Sequence, residues 1–128
     1  MNVSMILYVA AGGAIGAVGR YGVVSLAGAL LGHGFPYGTM IVNIAGSFIL
    51  GALIEVSALA WSPSPEIRAM IVVGILGAFT TFSTFSLDVM SLMTRGETVH
   101  ALLYVAVSVV VSIGALWAGM TMTRLILT

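Results

Sequence analysis

The 128-residue chain is 60% hydrophobic and 6% charged, with no formal net charge and a mean hydropathy of +1.20; soluble domains carry roughly 25% charged residues. All four basic residues are arginines scattered along the chain, so there is no basic patch and a nucleic-acid partner is excluded. Without cysteine, disulfides, thiol catalysis and cysteine metal sites are excluded too.

The length allows four helices of about 20 or more residues each, joined by short loops. The expected fold is therefore all-α: a single four-helix transmembrane domain over residues 1–128. No Lys or Arg precedes Arg20, and the first apolar run outlasts a signal peptide. The first segment is thus expected to stay in the mature protein.

Segment one runs from Ile6 to Leu31. Gly12 and Gly16 stand four apart, a spacing that lets a second helix approach closely. Arg20 lies within the apolar run. An intramembrane arginine marks a functional site facing the bundle interior or water; alternatively its long stem carries the charge out to the interface. Gly32-His33-Gly34-Phe35-Pro36 is a turn, with His33 a plain loop residue.

Segment two spans Tyr37 to Leu59 and holds one amide, Asn43, with Gly46 and Ser47 about one turn on. Asn43 is either an interhelical tie or a polar contact on a transport path. Glu55 follows 12 residues later, about 120° round the helix on another face, and reads as an interface residue. Trp61-Ser62-Pro63-Ser64-Pro65 closes the helix at headgroup level.

Segment three starts near Glu66 and continues to Met93. Within it, Gly74-Ile75-Leu76-Gly77-Ala78-Phe79 leads into Thr80-Thr81-Phe82-Ser83-Thr84-Phe85-Ser86. So many hydroxyls have no use on a lipid-facing helix, and the glycines weaken it further. A broken helix at membrane depth is tolerated where it is buried in protein or lines a polar path. This stretch is therefore read as the working centre. Phe82 and Phe85 share a face, as packing or as pathway, and Asp88 lies a further turn along it.

Arg95-Gly96-Glu97 is a tight connection. Segment four runs from Val99 to Ile126, where Tyr104, Ser108 and Ser112 recur every four residues in one stripe. The serines either bond back to the carbonyl four residues earlier or form a polar track. With a cytoplasmic N-terminus, Arg68 and Arg124 lie inside and Arg95 outside. So weak a positive-inside signal suits insertion in both orientations.

Gly16-Ala17-Val18-Gly19-Arg20-Tyr21, Gly38-Thr39-x-x-x-Asn43 with Gly46-Ser47-Phe48, and Gly74-x-x-Gly77 leading to Thr80-Thr81-Phe82-Ser83-Thr84-Phe85 closely resemble the Fluc (CrcB) family of fluoride channels. The resemblance covers the whole chain; many members have a second glycine where this chain has Ala78. It implies a small multi-pass protein of the bacterial inner (plasma) membrane, a dual-topology protein working as an antiparallel homodimer with two parallel fluoride pathways. It implies passive export of cytoplasmic fluoride, protecting the cell from its toxicity; with no His cluster, no cysteine and no paired carboxylates in the chain, no enzymatic activity is expected. Asn43 corresponds to the pore asparagine, Phe82 and Phe85 to the ring pair, Tyr104, Ser108 and Ser112 to the polar track, and Arg20 to a vestibule position. Main-chain carbonyls at Gly77 and Thr80 would hold a central sodium ion (Na+) at the dimer interface.

The chemistry of these residues fits. Fluoride holds its water tightly, so a pore must replace that water with donors, which the Asn43 amide and the Ser and Tyr hydroxyls supply. Phenylalanine edges carry partial positive charge. Neutral donors also keep binding weak enough for release. A carbonyl cage without a carboxylate suits a monovalent cation. A proton-coupled exporter of the small four-helix type needs a carboxylate deep in segment one, which is missing. A structural subunit without transport would leave the polar track unexplained.

Overall fold

Residues 1–128 are described by a computed structural model, in which every regular element is helical. We label Val3–Leu31 α1 and Tyr37–Leu59 α2. The third apolar stretch is interrupted. Here α3 comprises Pro65–Ala69, a π-helical stretch Met70–Leu76 and a last turn Gly77–Phe79, while α4 is Phe82–Thr94. Thr98–Leu127 forms α5. With α3 and α4 taken as one span, four helices are long and apolar enough to cross a membrane. The expected boundaries hold closely; the largest departure is the start of α1, at Val3 in place of Ile6.

Local chemistry accounts for the ends. Asn2 caps α1 by accepting from the Ser4 N–H at 2.8 Å, and Ser64 caps α3 with Pro65 in the first turn. At the end of α4 the Gly96 N–H reaches the Met93 carbonyl and the Glu97 N–H the Leu92 carbonyl. Gly96 there has φ +79°, the left-handed glycine cap that satisfies two end carbonyls.

Glycines set the helix spacing. A Cβ at Gly12 would collide with the Met70 carbonyl, and one at Gly16 with the Ile75 carbonyl. The expected close approach is therefore α1 against the π-helical part of α3. Likewise, Gly51 of α2 lies on the Leu116 carbonyl and Gly119 of α5 on the Phe48 carbonyl, which makes α2 and α5 a closely packed pair. Near their far end the buried Glu55 accepts from Arg124 Nε at 2.7 Å. Glu55 thus does sit at an interface, between two helices of one chain.

Only 17 of 128 residues are buried, so the apolar surface lies mainly outside, as lipid or a partner helix requires. The one aromatic-rich core, Phe85, Leu92, Ala101 and Tyr104 with Phe35 against it, fills the end of the bundle near the Gly32–Pro36 turn. Arg95 fastens the loops there by donating to the Gly34 carbonyl at 3.0 Å.

Candidate functional site at the helix break

Thr80 and Thr81 have extended backbone, with φ/ψ of −84°/157° and −153°/120°, so the helical ladder stops between Phe79 and Phe82. Side chains take up the freed groups. The Thr81 N–H, which a continuous helix would aim at the Gly77 carbonyl, donates instead to Asn43 Oδ1 at 2.7 Å. Asn43 Nδ2 in turn donates to the Thr81 carbonyl at 3.0 Å. The Thr84 N–H, whose helical target would be the Thr80 carbonyl, donates to Thr81 Oγ1 at 3.1 Å. Arg20 Nε donates to the Ala78 carbonyl at 2.9 Å. The carbonyls of Gly77 and Thr80 thereby lose their usual donors.

The break also sorts charge. The end of α3 presents carbonyls, and Arg20 places a cation there; the start of α4 presents N–H groups with positive character. Beside the break, bordered by both α3 and α4, lies an open cavity of about 430 Å³. Asn43, Thr80, Thr81, Phe82, Phe85, Ser108 and Ser112 line it among apolar neighbours. No acid or arginine is in the lining.

Asn43 is both tie and wall. Its Oδ1 and one amide hydrogen are committed to Thr81, leaving one amide hydrogen beside the cavity. Phe82 and Phe85 pack as a tilted pair, centroids 5.6 Å apart at 43°. Phe85 is 8% exposed and Phe82 78%, so one ring is held by the core and the other stands at the open edge.

The Ser108 and Ser112 hydroxyls are buried without a hydrogen-bond partner. Back-bonding to the preceding turn, an alternative at the level of sequence, is not made. An unpartnered buried hydroxyl is costly, and both border the cavity.

Tyr104 is separated from the two serines. It is fully buried, packed against Phe85 in a tilted pair with centroids 5.1 Å apart, and its hydroxyl donates to Asp88 Oδ2 at 2.9 Å. The stripe thus places two serines on the cavity wall and its phenol behind Phe85, where Asp88 holds it. Arg20 is likewise off the lining, acting on the end of α3. Gly77 and Thr80 both border the cavity as well. The roles of Thr81, as clamp partner and as cap of α4, and of Asp88 escape the sequence reading. A threonine three residues before another hydroxyl residue is a weak cap signal, and only the fold brings Asp88 to Tyr104.

Comparison with known proteins places these features in context. Residues 7–120 match the family described as CrcB-like protein, Camphor Resistance (CrcB). The chain is 51% identical over 120 residues to a fluoride-specific ion channel FluC of Rhodospirillum centenum, covering 94% of this chain and 95% of that one. It is 46% identical over 127 residues to the fluoride-specific ion channel FluC of Hahella chejuensis, covering 99% and 100%. A third relative with the same description, from Chelativorans, is 51% identical over 122 residues, covering 95% and 98%.

Proposed function

The chain belongs to the CrcB-like family, and from that premise we propose that it is a fluoride-specific channel through which cytoplasmic fluoride leaves the cell passively, down its electrochemical gradient. It is a multi-pass membrane protein, and not an enzyme.

The observation that carries this reading is the cavity wall: two buried hydroxyls without partners and a spare amide N–H, beside a phenylalanine pair and without a formal charge. Bare hydroxyls, each able to donate one hydrogen bond, supply what a dehydrating anion lacks. The ring edges add partial positive charge, and the start of α4 adds more. With no fixed cation in the lining, the ion binds weakly enough to leave. In this reading Asn43, Phe82, Phe85, Ser108 and Ser112 contact fluoride. Tyr104 backs Phe85 and continues the track towards Asp88, and Arg20 raises the local potential from the α3 side.

The working unit in this proposal is an antiparallel homodimer in the bacterial inner membrane, with chains inserted in both orientations. Much of the apolar surface is exposed, including Val110, Ile113 and Leu102, and a second copy would cover part of it. The Gly77 and Thr80 carbonyls, relieved of their helical donors, fit a monovalent cation such as sodium. No acid stands in the broken stretch to call for a divalent ion. Shared by two copies, such a cation would tie the two breaks together.

The proposal is tested by expressing the chain in a bacterium that lacks its own fluoride exporter. Growth on fluoride at concentrations that stop the parent strain is expected. Continued arrest, with the protein present in the membrane, contradicts the proposal.

A further inference from the structure

Ser47 lies on the wall of the same cavity, yet nothing above gives its hydroxyl a role. It is half-buried. Its Oγ takes no part in the side-chain hydrogen bonds, whereas the hydroxyls of Thr80 and Ser86 bond back to carbonyls one turn earlier, both at 2.9 Å. A serine in an apolar helix that forgoes this back-bond has its hydroxyl free for another partner.

The register of α2 and α5 shows what it faces. Both helices start at the end where Arg95 holds Gly34, so they run parallel. Gly51 rests on the Leu116 carbonyl. The contact of Gly119 with the Phe48 carbonyl shifts the register the other way, so Ser47 lies within about one turn of the level of Ser112, and Asn43 within about one turn of Ser108. All four residues line the one cavity.

We propose that Ser47 is a further anion-contacting residue, its hydroxyl forming with Ser112 a two-sided rung on the fluoride path. The inference rests on the channel reading. An anion held by α5 alone would face hydrocarbon on its α2 side once past Asn43. Ser47 replaces a second water there, and Asn43 with Ser108 repeats the arrangement one turn away.

The test is ionophore-started fluoride efflux from liposomes holding wild type, Ser47→Ala, Ser47→Thr or Ser47→Val. Threonine and valine match in shape and differ in the hydroxyl, so their comparison decides the matter even if the alanine variant folds poorly. Loss of one net hydrogen bond predicts that Ser47→Ala slows efflux about 3- to 10-fold, and that Ser47→Thr outruns Ser47→Val. A wild-type rate in folded Ser47→Ala, or equal slowing by threonine and valine, overturns the inference. Wild-type liposomes that keep their fluoride overturn the channel reading itself, so the two failures are told apart.

Discussion

Asn43 and Thr81 grip each other through two hydrogen bonds, Thr81 N–H to Asn43 Oδ1 at 2.7 Å and Asn43 Nδ2 to the Thr81 carbonyl at 3.0 Å. An amide side chain here replaces the helical bonding that the break removes, and it fixes the start of α4 against α2. Aspartate can accept from Thr81 but cannot donate to it. Asn43→Asp should therefore leave the Thr81 carbonyl facing a carboxylate, at a cost of about 1–3 kcal/mol for the lost partner, and put negative charge beside the cavity. A lower melting temperature in detergent and strongly reduced fluoride efflux are expected. Normal efflux with a normal melting temperature would contradict the clamp.

The two rings differ in burial, and their substitutions should differ in stability. Phe82, 78% exposed, supports little of the core, so Phe82→Ile should leave thermal stability near wild type. Phe85 packs against Tyr104, and Phe85→Ile should cost about 1–3 kcal/mol through reshaped packing. Both should cut fluoride efflux if both edges meet the ion. Full flux in both variants would remove the rings from the pathway.

Ser108 and Ser112 give the reverse pattern. Their hydroxyls have no partner to lose, so Ser108→Ala and Ser112→Ala should melt no lower than wild type, while efflux slows about 3- to 10-fold each for one lost donor. Reduced stability with unaltered flux would assign the serines to the fold instead.

The helices were legible in the sequence because apolar length and turn residues dictate them: the expected Tyr37–Leu59 span is the observed one. The break was legible because glycines and clustered threonines cannot sustain a lipid-facing helix, and Gly12 and Gly16 announced a close helix contact. The π-helical stretch Met70–Leu76 was not legible: Gly74 marks a weakened helix, but nothing in the sequence says that the weakening takes the form of a widened turn. Tyr104 shows the limit of periodicity. A four-residue spacing fixes a helix face, but which part of that face meets the cavity depends on Phe85 and Asp88, brought there by α4. Asn43 could be seen as polar and costly; its two bonds to Thr81 could not, because they join residues 38 apart in the chain.

Antiparallel assembly makes a separate prediction. The chain has no cysteine, so Gly34→Cys, in the exposed α1–α2 turn, gives a single reporter. In sealed vesicles an impermeant thiol reagent should label one fraction from outside and the remainder only after the membrane is opened. Labelling wholly from one side would rule out insertion in both orientations.

The most direct test is fluoride efflux from liposomes reconstituted with the purified chain alone, started by a potassium ionophore, with chloride-loaded liposomes alongside. The account predicts rapid fluoride release that depends on the ionophore, with chloride retained. Fluoride held back by folded, inserted protein, or chloride released as fast as fluoride, would contradict it.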